Sequence, residues 1–388
     1  MKKLCFVFFA LLCTLIVEAQ NCRVLVGAES TDEYFPLLKG KRIGVFTNHT
    51  GMVQDEHVVD LLKRSGFNLI YIFAPEHGFR GNADAGEKVN DDVDAKTRIP
   101  IRSLYKSKTG KPDKATMDKI DILLFDIQDV GLRYYTYYIS MIKLMDACAE
   151  NGKKMIILDR PNPNGFYVDG PILNMKYKSG VGGLPIPIVH GMTLGELAQM
   201  INGEGWLPQA KKCDLTVIKC RNYTHQTKYA LPLPPSPNLP NMKSVYLYSS
   251  TCFFEGTPVS LGRGTEFPFQ VYGHPDFKSR TFSFTPRSIE GAKNPPLLNK
   301  LCYGRDLRNI PDETIWKEGI NLSYLIDAYK QLGIGEKFFR PFFENLVGVG
   351  YVRKMIIEGK SADEIKAVWK KDVENFKKQR KPYLLYEE

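Results

Sequence analysis

Glu76, His77 and Arg80 follow directly on the apolar run Leu69–Phe73 and the Ala74–Pro75 pair. A buried strand that ends this way hands polar groups to the rim of a sheet. Cleaving a glycosidic bond needs a carboxylic acid that keeps its proton near the leaving oxygen, and a second group that steadies or attacks the anomeric carbon. Glu76 suits the first role, because partial burial against Phe73, Phe79 or nearby tyrosines would raise its pKa. A local salt bridge to Arg80 is the plainer reading. His77 suits orienting a carboxylate or meeting sugar hydroxyls, and equally a structural role beside Pro75.

Three other apolar runs end in charge or amide with Gly or Pro: IGVFTNHTG from Ile43, DILLFDIQDVG from Asp121 and KMIILDRPNPNG from Lys154. The first delivers Asn48 and His49. The second delivers Asp126 and Asp129, three apart, for catalysis or for capping the next helix. The third delivers Arg160, whose planar fork suits a ligand carboxylate such as a lactyl group. A pair with Asp159 or Asp169 is the alternative. Further on, His190 precedes a helix start, and a glycine-rich cluster carries Glu255, Arg263 and Glu266. These are candidates for the second carboxylate and for more sugar contacts.

The elements that must position these residues read as α/β. Lys41–Thr47, Leu69–Phe73, Ile122–Asp126 and Met155–Leu158 are near-continuous apolar strands of the parallel kind. Helices are expected over Glu56–Ser65, Tyr134–Ala149, Thr193–Ile201, Leu322–Gln331 and Ala362–Lys377, two of them opened by capping boxes at Thr193/Glu196 and Ser361/Glu364. Residues 84–96 read as an acidic loop and Leu215–Lys219 as a strand. Leu231–Asn241 reads as a stiff proline-studded wall, and Val245–Ser249 as extended. The first strand–helix turn lacks GxGxxG, so no dinucleotide is expected, and no other cofactor is called for. The organisation expected is a Rossmann-like, mostly parallel sheet domain over residues 20–190 and a smaller α+β domain over 191–388, with a cleft between them.

Composition narrows the classes. The 388 residues carry a net charge of +10, spread thinly, with no basic stripe suited to a phosphate backbone, so nucleic acid is not an expected partner. Lys2 and Lys3 ahead of the apolar run Leu4–Val17, with Val17-Glu18-Ala19 behind it, predict a cleaved signal peptide over residues 1–19 and an exported protein, periplasmic or secreted. That run is too short to span a membrane comfortably. Cys213 and Cys220 suit either a cross-strand disulfide or a pair of buried thiols, and no cysteine spacing suits a thiolate zinc site. Convergence of His49, His77, His190, Asp126 and Asp129 on a metal is the rival hydrolytic reading. No HExxH or other ligand spacing supports it, and no metal is expected. A non-catalytic wall-binding protein, using Tyr134, Tyr135, Tyr137 and Tyr138 as platforms, is the rival from another class.

Taken together, GVFTNHTG, PEHGFRG, DIQDVGLRYYTY, LDRPNPNG, PIPIVHGMTLGELAQMING, LPPSPNLPN and FEGTPVSLGRGTEFPFQVYG resemble the exo-β-N-acetylmuramidase (NamZ-like) family from about Lys41 onward. The resemblance implies a Rossmann-like domain joined to a smaller one. It also implies release of N-acetylmuramic acid from the non-reducing ends of peptidoglycan-derived glycans, and it carries the family's EHG glutamate onto Glu76. Asp129 or Glu266 is then the expected second catalytic group. Asn48, His49, His77, Arg160, His190, Glu255 and Arg263 are the expected substrate contacts.

Overall fold

The computed structural model describes residues 23–75, 79, 92–104 and 109–388. The expected signal peptide, Cys22, Glu76, His77, Arg80 and residues 84–91 of the acidic loop lie outside the described residues. In chain order the strands of the first half are β1 (Arg42–Thr47), β2 (Met52–Val53), β3 (Glu56–His57), β4 (Asn68–Ala74), β5 (Asp92–Val93), β6 (Pro100–Ser103), β7 (Ile122–Asp126), β8 (Lys154–Leu158) and β9 (Asp214–Ile218). β2 and β3 form a small hairpin; the rest form one sheet, ordered β5-β6-β4-β1-β7-β8-β9. Every pairing in it is parallel except that of β5 with β6. Leaving β5 aside, the spatial order is third, second, first, fourth, fifth, sixth. That is a doubly wound, Rossmann-like sheet whose order reverses between β1 and β7, the place where such sheets bind ligands.

The apolar runs alternate between two cores, as successive strand residues must. Phe46, Phe73, Phe125 and Ile157 face one side; Val45, Ile72, Leu124 and Ile156 face the other. The second core is covered by helices α1 (Thr31–Leu38) and α2 (Val58–Arg64). A single turn, α3 (Lys114–Met117), leads into β7. The first core is covered by α4 (Tyr137–Asn151) and α5 (Leu194–Gly203) and runs on without a break into the second half. Thr193 caps α5 by accepting from the Glu196 N–H while Glu196 accepts from the Thr193 N–H, as the capping-box spacing predicts.

The second half holds α6 (Met242–Thr251), β10 (Val271–His274), β11 (Ser283–Phe284) and β12 (Cys302–Asp306), followed by α7 (Asp312–Glu318), α8 (Ser323–Leu332), α9 (Phe343–Val347), α10 (Tyr351–Ile357) and α11 (Ala362–Arg380). Its sheet is small and antiparallel, ordered β10-β12-β11.

Two expectations change, and one open alternative is decided. The large sheet runs past residue 190 to take in β9. Val245–Ser249 lies inside α6, whose first turn is capped by the Asn241 side chain, so local cap chemistry and all-round burial override its β-branched and aromatic composition. Cys213 and Cys220 flank opposite ends of β9, roughly 20 Å apart at strand rise, and each is a free, buried thiol. No helix among the described residues is long and apolar enough to cross a membrane.

Candidate active site

The site begins where β1 and β7 part. At the exit of β1, Asn48 Oδ1 accepts from the backbone N–H and the hydroxyl of Thr50 at 3.0 and 2.6 Å. Its Nδ2 donates to Tyr137 Oη at 3.0 Å. Asn48 is fully buried, so it shapes the loop and positions Tyr137. His49 donates from Nε2 to the Pro234 carbonyl at 2.8 Å, and Tyr135 donates to the Pro235 carbonyl at 2.7 Å. The proline-studded segment is thereby pinned over the carboxyl ends of the strands, as a wall.

At the exit of β7, Asp126 and Arg160 form a buried two-pronged ion pair. Arg160 Nε meets Asp126 Oδ1 at 2.6 Å and Nη2 meets Oδ2 at 2.9 Å. Nη2 also donates to the Met52 carbonyl at 2.9 Å. Burial pulls the guanidinium pKa down, the Asp126 charge and hydrogen bond push it up, and the net shift is upward. The Arg160 fork is therefore engaged with Asp126, not with Asp159 or Asp169, and is not held ready for a ligand carboxylate.

Asp129 takes another environment. Its Oδ1 accepts from the Gly131 N–H at 2.7 Å, while its buried Oδ2 has no partner among the described residues. Burial pushes this carboxyl up to about 7, against backbone N–H groups of Gly131 and Val130 that pull it down. A crevice of about 10 Å³, the size of one water, lies beside it between Asp159, Arg160, Asn162 and Thr193. Gly131 has φ +74°, and a Cβ there would meet the Asn162 amide at 2.2 Å. This close crossing of the β7 and β8 exits requires glycine.

A larger pocket of about 160 Å³ opens between the halves. Residues 134–137 form one wall, Ser236 and Asn238 of the proline segment another, and Tyr248, Glu255, Arg263 and Phe269 the third. Tyr134, Tyr135, Tyr137 and Tyr138 are all buried in the core. Tyr134, Tyr135 and Tyr137 serve as a wall of the pocket, not as exposed platforms, and Tyr138 does not line it. Glu255 and Arg263 are the charged side chains lining the pocket among the described residues. Arg263 donates from Nε and Nη2 to Glu255 Oε1 at 3.2 and 2.7 Å.

The remaining candidates lie apart from this pocket. Glu266 is exposed and does not line it. His190 is buried, accepts from the Met192 N–H at Nδ1, and is pushed down to about 3 by burial and by Arg380. No three His, Cys, Asp or Glu side chains among the described residues stand close enough to share a metal ion.

Family models describe the chain in two consecutive pieces: "Exo-beta-N-acetylmuramidase NamZ, N-terminal" matches residues 43–243 and the corresponding C-terminal model matches 246–386. The chain belongs to the NamZ exo-β-N-acetylmuramidase family. Membership makes it a glycosidase. The junction of the two models falls in the first turn of α6, so the large pocket takes walls from both. A curated relative, the peptidoglycan β-N-acetylmuramidase NamZ of Bacillus subtilis (strain 168), is 39% identical over 95% of this chain and 92% of its own length. Two solved structures, both DUF1343 family proteins from Bacteroides fragilis, share the fold. One has a TM-score of 0.89 at 67% identity, the other 0.81 at 28%, each covering 94% of this chain and 99% of its own. Val181, Ser236, Asn238, Leu239, Tyr248 and Phe269 line the pocket although sequence reasoning passed them over as site members; LPPSPNLPN contained Ser236, Asn238 and Leu239, and FEGTPVSLGRGTEFPFQVYG contained Phe269.

Proposed function

We propose that this NamZ-family enzyme releases N-acetylmuramic acid from the non-reducing end of peptidoglycan-derived glycans, with Glu76 as general acid. The observation that carries the reading is the pocket between the two halves of the chain, lined by residues from both segments that match the family models. Glu76 directly follows Pro75, which is buried at the end of β4, next in the sheet to β1. In the proposed step the Glu76 carboxyl proton passes to the glycosidic oxygen as the bond to the anomeric carbon breaks; water adds to that carbon and gives up its proton to a carboxylate, the second group or the Glu76 carboxylate just formed. Asp129 or Glu266 is the proposed second group. Asp129 is neutral below about pH 7, so an anionic role for it predicts activity that rises through that pH. The proline wall and the buried tyrosines that line the pocket are the proposed block on further sugar subsites, as an exo-acting enzyme requires.

The test is release of N-acetylmuramic acid from a defined muramyl-terminated disaccharide in EDTA, by wild type and by Glu76→Gln. A fall of at least about 100-fold in a folded variant that still binds the sugar fits loss of a general acid. Wild-type turnover that is lost in EDTA and restored by zinc would replace this mechanism with a metal-dependent one. Binding without turnover would make the chain a wall-binding protein.

A further inference from the structure

The family reading calls for recognition of an acidic sugar, since N-acetylmuramic acid differs from N-acetylglucosamine by a lactyl ether that ends in a carboxylate. Arg160, the strand-end arginine, is buried to 5% side-chain exposure and spends its fork on Asp126. A carboxylate recognised in the large pocket therefore needs another cation, and among the described residues lining that pocket Arg263 is the cation present.

Arg263 is built as a held donor. Glu255 Oε1 takes the hydrogen bonds of both Nε and Nη2. The guanidinium carbon lies 5.0 Å from the centre of the Phe269 ring, close enough for a cation–π contact. Nη1 has no acceptor among the described residues, and the side chain keeps 21% of its exposure. Burial lowers the guanidinium pKa, but the Glu255 charge and hydrogen bonds outweigh it and the net shift is upward. The group is thus permanently charged, fixed on one edge and open on the other. Ordering the side chain in advance removes part of the entropy that a free arginine would lose on binding. The backbone supports this placement: Gly262 and Gly264, on either side, have φ of +86° and +81°. A Cβ on Gly264 would meet the Arg287 carbonyl at 2.5 Å, so the turn that presents Arg263 requires glycine there.

We infer that Arg263, positioned by Glu255 and Phe269, is the residue that selects a carboxylate-bearing amino sugar over its neutral counterpart. This rests on the proposed function in that it assigns the pocket to the sugar. Arg263 pairs through Nη1 with the lactyl carboxylate, and Glu255 acts as a positioning residue that holds the fork edge-on. Discrimination arises because a neutral sugar leaves this donor without an anionic partner, whereas an acidic one completes a charge-assisted hydrogen bond.

The experiment compares two disaccharides, one with the lactyl carboxylate free and one with it converted to the primary amide, on wild type, Arg263→Gln and Arg263→Lys. Wild type should prefer the acid by at least about 10-fold in kcat/KM. Arg263→Gln should bring that ratio to within about threefold by losing the acid and keeping the amide, while Arg263→Lys retains an intermediate preference. A ratio in Arg263→Gln equal to that of wild type, or an equal fall on both substrates, overturns the inference. Calorimetric binding of N-acetylmuramic acid and N-acetylglucosamine to the same three proteins separates this inference from the activity. Selective binding lost in Arg263→Gln supports it even where wild type cleaves neither disaccharide, a result that would end the proposed function alone. Equal binding of both sugars to wild type overturns it. If Arg263→Gln fails to fold, as judged by circular dichroism, Arg263→Lys carries the comparison, and an unchanged acid preference in it refutes a role for the guanidinium fork.

Discussion

Two carboxylates three residues apart have opposite fates. Asp126 is fully buried but meets a guanidinium with both oxygens, whereas Asp129 is buried with one oxygen unpartnered among the described residues. Removing the Asp126 charge strands a buried cation, so Asp126→Asn should destabilise the fold by about 3–5 kcal/mol in urea unfolding. A loss below about 1 kcal/mol would mean that water reaches the pair. For Asp129 the consequence is a pH dependence. Its folded pKa is about 7, against about 3.9 for an unfolded aspartate. Between those values the native state holds a proton that the unfolded chain has released, so the contribution to stability is best at the acid end and declines as pH rises toward 7. Asp129→Asn cannot ionise. The difference in urea midpoint between variant and wild type should therefore move in the variant's favour from pH 5 to pH 8. A difference that stays constant across that range would show that Asp129 does not titrate there.

The elements that present the site were legible where burial writes itself into consecutive residues. β1, β4, β7 and β8 are apolar runs because parallel strands are covered on both faces, and each was read within a residue or two. α6 was not legible. Eight of its ten residues are buried, so no polar stripe marks its period, and Val245, Tyr246 and Tyr248 look like strand residues. Pairings across the chain were equally hidden: Arg160 at a strand end looks like a ligand hook until its partner 34 residues earlier is placed beside it. The same distance effect hid Arg133. It is buried, and donates to the carbonyls of Pro171 and Ile186 through Nη1 and of Leu346 and Val347 through Nη2. Leu346 and Val347 close α9, so the cation also caps that helix's negative end. Arg133 thus ties the segment carrying Tyr134–Tyr137 to the second half, and burial, against nearby tyrosines that raise it, pushes its pKa down to about 10. Arg133→Met fills similar volume but leaves four carbonyls without this donor. A loss of about 3 kcal/mol or more, with KM for the disaccharide raised together with it, is the expected outcome. Unchanged KM in a destabilised variant would separate the clamp from the pocket.

At the scale of the molecule the two halves share a core and exchange chain. The first hydrophobic core passes from the sheet through α4 and α5 into α7–α11 without interruption. After α11 the last residues return to the first half. Tyr386 donates to Asp159 Oδ2 at 2.7 Å and accepts from the Cys220 N–H at 2.9 Å. The Leu385 N–H donates to Glu196 Oε1 at 2.8 Å, the same oxygen that faces His225 Nε2 at 3.0 Å. Arg380 donates to the Gly191 carbonyl and pairs with Glu388 at 2.5 Å. The C-terminal segment is in this sense part of the first half's polar interior, holding Asp159 and the cap of α5 where β8 leaves the sheet. Family models meet near residue 244, yet the physics does not divide there. A chain cut at 243 would expose the shared core and leave Glu196 and Asp159 without these donors. We therefore expect residues 23–388 to unfold in one cooperative transition, with far-UV and near-UV circular dichroism midpoints coinciding, and residues 23–243 alone to lack near-UV signal. Tyr386→Phe should lower the single midpoint by an amount equivalent to about 1–3 kcal/mol without splitting it. Two resolved transitions in the intact chain, or a cooperatively folded 23–243 fragment, would show instead that the halves are independent domains and that the pocket between them forms by docking.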